Sequence, residues 1–147
     1  MNFPELLQAL AEHLNLPLKE DSQGSCSLLV EQTLLVQLEM SRDEAHLFFG
    51  ARLGALSPGR YREEMLELAL RENGRSYPHL GILGYSTGAN ELAFFDALRL
   101  DVFPAEAISY AFQIFVEKAL IWHRAIERGT YPEEITMPAQ TDNFMVR

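Results

Sequence analysis

The run Gly84-Tyr85-Ser86-Thr87-Gly88 matches the G-x-S-x-G pattern of a hydrolase nucleophile elbow letter for letter. Such an elbow raises a serine hydroxyl on a sharp turn between a parallel strand and a helix, where it can attack an acyl carbon. The residues after it do not supply that helix, because Glu91 to Leu100 alternates as a strand should. Ser86 therefore reads as a turn residue in a hairpin, and a small serine hydrolase stands as an alternative function. His13, His46, His79 and His123 are scattered, without the i, i+4 pairing that aims two imidazoles at one metal ion. His123 lies near the end of a long helical pattern, where a cation also meets the macrodipole favourably, and His46 alternates outward on a strand. Glu63, Glu64, Glu67 and Glu72 are interleaved with Arg60, Arg62 and Arg71, the composition of a solvated, ion-paired helix face rather than an acid/base pair. Cys26 has no basic neighbour to favour its thiolate and reads as a buried or partly buried thiol. No metal and no cofactor are expected from these residues.

The elements that would position these groups follow from hydrophobic spacing. Asn2 can cap a first helix with Glu5 three residues on, and Phe3, Leu6, Leu7, Leu10 and Leu14 recur at helical spacing until Leu16-Pro17. A polar stretch from Lys19 to Ser25 leads into two Leu/Val-rich strands, Cys26 to Glu31 and Leu34 to Met40, joined by a tight turn at Gln32-Thr33. Leu47, Phe49, Ala51 and Leu53 alternate with His46, Phe48, Gly50 and Arg52 in a third strand. Ser57-Pro58 reads as cap and first-turn proline of a second helix ending near Asn73-Gly74. Two more strands, Gly81 to Ser86 and Glu91 to Leu100, flank the turn Thr87 to Asn90. Pro104 opens the longest helix, whose Ile108, Phe112, Phe115, Ala119, Trp122 and Ile126 form one buried stripe up to Gly129. The order α-β-β-β-α-β-β-α predicts an α+β fold in which helices cover one face of a five-stranded antiparallel sheet. Residues 1–129 read as the domain and 130–147 as a flexible C-terminal tail.

The chain has 147 residues, 48% of them apolar, enough to bury its own core. Twelve Lys and Arg against 21 Asp and Glu give a net charge of −9, which removes the general attraction to phosphate backbones, so nucleic acid is not an expected partner. One cysteine fits a reducing compartment, the cytoplasm. The N-terminal residues have no export pattern, and no segment approaches the ~18 apolar residues of a membrane span, so no membrane partner is expected either. What is left over is apolar surface. Leu29, Leu35, Phe48 and Phe95 fall on strand faces opposite the helix-packing set, and such a patch marks either a partner surface or a thicker core.

The helix Phe3-Pro4-Glu5-Leu6-Leu7 with Leu10 and Leu14, the strand triplet, the helix Tyr61 to Asn73 and the final helix Phe112 to Arg124 with its Trp122 together resemble the class I type III secretion chaperones, the Tir-chaperone-like group. The resemblance spans about residues 3 to 128; the tail and the Tyr85 to Asn90 turn fall outside its pattern. It implies a non-catalytic, cytoplasmic bacterial protein that holds the N-terminal segment of a secreted effector extended and soluble. Binding there combines β-augmentation at a sheet edge with apolar anchors. It also implies a homodimer built on the second helix and fourth strand, with Tyr61, Met65, Leu68, Ala69, Leu83 and Tyr85 as interface residues. Phe3, Leu7, Leu29, Leu35 and Phe48 are the corresponding effector-binding candidates, as the apolar residues least needed by the core. The ATPase or sorting components of the secretion apparatus are further expected partners. A non-catalytic regulatory or heterodimer subunit of the same fold is the other alternative.

Overall fold

A computed structural model describes residues 2–75 and 80–132. Helix α1 (Phe3–Leu14) starts as its cap dictates: the Asn2 side-chain oxygen accepts the Glu5 amide at 2.9 Å, with Pro4 in the first turn. It ends earlier than the proline implied, because Asn15 adopts the left-handed conformation, φ 55°, and closes the helix. Strands β1 (Ser25–Val30), β2 (Leu34–Met40) and β3 (His46–Ala55) then form a meander. The first hairpin turns one residue sooner than expected. Glu31 and Gln32 carry the positive φ values, 50° and 61°, and the Thr33 amide donates to the Val30 carbonyl.

Helix α2 (Arg60–Asn73) also departs from expectation at its start. Ser57 gives no capping hydrogen bond and Pro58 lies in the turn before the helix. Gly59 is the cap residue, at φ 97°, a conformation that disfavours a side chain. Strands β4 (Ile82–Ser86) and β5 (Glu91–Arg99) follow, then α3 (Ala105–Arg128), opened by Pro104 and closed by left-handed Gly129.

All five strands are antiparallel, in the order β1-β2-β3-β5-β4. β3 is thus central, and β4 forms an edge outside β5. Helices α1 and α3 pack together, with α3 laid across β3 and β2, while α2 packs beside β4. The core sits between α3 and the sheet. Phe115 stacks on Phe94 at 4.7 Å and meets Phe49 edge-on at 4.7 Å, and Phe112 also meets Phe49 edge-on, at 5.9 Å. Trp122 is buried in the same cluster. His123 is not merely a helix-end cation: it is buried, and its Nδ1 lies 2.8 Å from the Leu53 carbonyl of β3.

Thr130 and Tyr131, read from sequence as the start of the tail, pack back onto α2. The Tyr61 hydroxyl donates to the Thr130 carbonyl at 2.8 Å, the two tyrosine rings lie 5.7 Å apart, and the Tyr131 hydroxyl donates to Glu64. The remainder of the predicted tail, 133–147, and His79 lie outside the described residues.

Candidate functional site

The outer face of the sheet, turned away from α1 and α3, carries five exposed large apolar side chains, Leu29, Leu35, Phe48, Ile82 and Phe95. Period-two alternation puts Leu47, Phe49, Ala51 and Leu53 of β3 inward, all buried, and leaves Phe48 outward at 47% exposure. The same parity exposes Leu29 on β1, Leu35 on β2, Ile82 on β4 and Phe95 on β5. Register brings them together. Leu29 stands directly opposite Leu35, and Gln37, Gly50, Phe95 and Ile82 share one cross-strand row. One row further along lie Glu39, Phe48 and Ala97. Two hollows result, of about 430 Å³ between Phe48 and Phe95 and about 450 Å³ between Phe95 and Leu35.

The two sheet edges differ. Asn73, at the end of α2, donates its side-chain amide to the Leu83 carbonyl at 2.7 Å and accepts the Leu83 amide at 2.9 Å. This side chain imitates a neighbouring strand and occupies the edge of β4. At the opposite edge, β1 pairs with β2 as its one neighbouring strand among the described residues, and Asp21 engages the amide and carbonyl of Ser25 at its start.

The sequence-derived binding candidates therefore divide. Leu29, Leu35 and Phe48 lie together on the outer face. Phe3 and Leu7 do not: they are 6% and 2% exposed and belong to the core cluster. The reading that the core needs them least is corrected, because the inner stripe of α1 is filled by Phe3, Leu6, Leu7 and Leu10 together. Phe95, one of the leftover apolar residues of the sequence though not among its effector-binding candidates, and Ile82, which sequence reasoning passed over, complete the apolar face. That Ile82 joins them follows from the pairing of β4 with β5.

Among the α2 and β4 candidates, Met65, Ala69 and Leu83 are buried within the chain, whereas Tyr61, Leu68 and Tyr85 are half-buried. Leu70, at 72% exposure, is the most open large apolar residue of α2. Glu72 is not on the solvated face with Glu63, Glu64 and Glu67. It turns inward to Lys118 of α3, whose Nζ lies 3.2 Å from the Glu72 carboxylate and donates to the Leu80 carbonyl at 2.9 Å. Lys118 is 3% exposed, and desolvation lowers its pKa even with Glu72 acting to raise it.

Ser86 sits at the end of β4 in a strand-turn-strand, so the strand-to-helix geometry of a nucleophile elbow is absent around it. Its Oγ faces the Ala89 amide of its own turn at 3.4 Å. Asn90, at φ 52°, closes that turn and ties it to the β3–α2 connection, donating to the Leu56 carbonyl and accepting from Tyr85. Cys26 is buried, and burial pushes its thiol up. Among the described residues no group of three or more His, Cys, Asp or Glu could hold a metal ion, and no helix is long and apolar enough to cross a membrane.

An antiparallel five-stranded sheet backed by α1 and α3, with α2 against one edge strand and an apolar outer face, is the architecture of a small α+β binding module. The sequence matches the Tir chaperone protein (CesT) family over residues 5–123, and the chain belongs to that family. No curated protein sequence matches it. Its fold is similar to the Yersinia pestis type III secretion chaperone SycH, solved with a stable fragment of YscM2. That likeness has a TM-score of 0.65 at 17% identity and covers 81% of this chain and 98% of that one. A HopA1–SchA chaperone–effector complex matches with TM-score 0.65 at 16% identity, over 84% of this chain and 94% of that chain. The ExoT–SpcS complex from Pseudomonas aeruginosa matches with TM-score 0.59 at 22% identity, over 82% and 97%.

Proposed function

We propose that the protein is a cytoplasmic type III secretion chaperone that binds the N-terminal segment of a secreted effector as a homodimer. The observation that carries this reading is the pairing of an apolar outer sheet face with the β1 edge, where Asp21 engages the backbone of Ser25 alone and Ser27 and Leu29 lie beyond it. Leu29, Leu35 and Phe48 offer anchors for apolar side chains, and the β1 edge offers backbone groups to a strand of the client. Asn73 closes the other edge, so β-augmentation falls on β1. Binding alone performs the work: a segment held along the surface cannot collapse or aggregate, and the chain's charge of −9 keeps the apolar assembly soluble and favours basic clients. The binding domain is residues 1–129. Membership of the Tir chaperone family and the fold shared with chaperones solved in complexes support the same reading.

The test is titration of N-terminal segments of the secreted proteins of the same bacterium into the purified chain. One segment is expected to bind at 1:2 stoichiometry. Leu29→Thr together with Leu35→Thr should weaken it at least about tenfold, a loss of ~1.4 kcal/mol, with the thermal midpoint little changed because both side chains are half-exposed and threonine suits a strand. Failure of every segment to bind, or binding that is indifferent to both substitutions, would overturn the assignment.

A further inference from the structure

Asn73 ends α2 and is followed by Gly74, and of the five asparagines in the chain it alone precedes a glycine. Asn2, Asn15, Asn90 and Asn143 precede Phe, Leu, Glu and Phe. The Asn-Gly pair has a chemistry of its own. The backbone nitrogen that follows an asparagine lies within reach of the side-chain carbonyl carbon, and a glycine there has no Cβ to screen it. Gly74 is exposed to solvent, so water reaches the junction.

The fold restrains this chemistry without removing it. Both polar atoms of the Asn73 side chain are committed to Leu83, at 2.7 and 2.9 Å, and the Gly74 amide donates to the Leu70 carbonyl at 3.0 Å. While those bonds stand, neither group can turn toward the other. All of them lie at the last turn of a helix and at the outer edge of β4, where helix ends fray and local opening costs least. The backbone does not demand glycine at this position. Gly74 holds φ −84° and ψ 1°, which residues with side chains also adopt, and an added Cβ would meet the Leu70 carbonyl oxygen at 3.3 Å, a contact that a small adjustment relieves.

We propose that Asn73 is a site of spontaneous deamidation, gated by its docking to β4. In the step, the Gly74 nitrogen bonds to Cγ of Asn73, the Cγ–Nδ2 bond breaks, and ammonia leaves with the proton that the Gly74 nitrogen gives up. Water then opens the resulting five-membered imide at one of its two carbonyls, leaving aspartate or isoaspartate at position 73. One water is consumed and one ammonia released, with no oxidant or reductant. The product cannot hold the edge as asparagine does. A carboxylate has no hydrogen for the Leu83 carbonyl and sets negative charge at a helix C-terminus, and isoaspartate also lengthens the main chain by one atom. Conversion therefore unlatches the β4 edge at Leu83 irreversibly.

The test is incubation of the full chain in mildly alkaline buffer, with anion-exchange separation and peptide mapping by mass spectrometry at intervals. A species heavier by about one dalton and more acidic by one charge should accumulate, altered at Asn73 and not at Asn2, Asn15 or Asn90. Conversion should run at least about tenfold faster in denaturing urea than in the folded chain, because the Leu83 pairing must open before the ring can close. Gly74→Ala should slow it at least about tenfold in urea, where folding plays no part. In the separated product the Leu83 amide should exchange at least about tenfold faster, while amides of β3 keep their protection. A folded chain that never converts while the urea-treated chain does, equal rates in the two states, or conversion indifferent to Gly74→Ala would overturn the proposal. A converted chain whose Leu83 amide is as protected as before would overturn it too, since the edge would then be held by something other than the Asn73 amide.

Discussion

Lys118 is a charge that the fold buries and then surrounds. Its ammonium contacts Glu72 and the Leu80 carbonyl, lies 5.7 Å from the centroid of the Phe94 ring and feels Asp96 across the same space, so one side chain joins α3, the end of α2 and the approach to β4. Lys118→Met leaves the Leu80 carbonyl and Glu72 without that partner and should cost about 1–3 kcal/mol in urea denaturation. The pH dependence has a definite sign. Because the folded pKa is lowered below its ordinary value near 10.5, the unfolded chain binds more protons between the two values, and this group's contribution to stability rises with pH across that window. The stability of wild type relative to Lys118→Met should therefore increase toward pH 10.5, measured by urea midpoints at matched pH. Gly81 is constrained more severely. Its φ is +91°, and an added Cβ would lie 1.9 Å from Cζ of Phe94, whose ring is held against Phe115. Gly81→Ala combines backbone strain with overpacking and should lose about 3 kcal/mol or more, seen as a sharply lowered thermal midpoint.

At the scale of elements, α2 is the least embedded helix, and its attachment to β4 is correspondingly specific. Met65 and Ala69 supply its buried face, and Asn73 completes it by pairing with both backbone groups of Leu83. Asn73→Ala removes a donor and an acceptor from a strand edge and should cost about 1–2 kcal/mol. Hydrogen exchange provides the sharper reading: the Leu83 amide should lose protection, while amides of β3, flanked on both sides, keep theirs. Uniform loss of protection over the sheet would mean that Asn73 supports the whole fold rather than guarding one edge.

For the whole molecule, the proposed homodimer sets α2 and β4 between two copies. Tyr61, Leu68 and Tyr85 are half-buried on α2 and β4, and Leu70 stands open beside them. A homodimer built on this side leaves the outer sheet faces and both β1 edges available to a client. Leu68→Asp should shift the light-scattering mass toward monomer with the circular dichroism of the fold retained. An unchanged dimer would place the interface elsewhere. In the proposed interface Tyr61 would take part with its ring alone, since its hydroxyl donates to the Ala125 and Thr130 carbonyls of its own chain.

The sequence by itself determined the element order, the inward and outward parity of β3 and the length of α3, because these follow from local periodicity and from caps such as Asn2 and Gly129. It also exposed the leftover apolar residues Leu29, Leu35, Phe48 and Phe95. It misplaced Phe3 and Leu7, since an amphipathic helix announces an apolar stripe but not what covers it. Tertiary structure alone decided that β5 inserts between β3 and β4, a pairing between residues distant in sequence that no local pattern encodes. From that one choice follow the row joining Gly50, Phe95 and Ile82, the edge that Asn73 closes and the burial of Lys118. Each depends on side chains from separate elements meeting in space, which is why the proposed binding face could be suspected from residue types but assembled only in the folded chain.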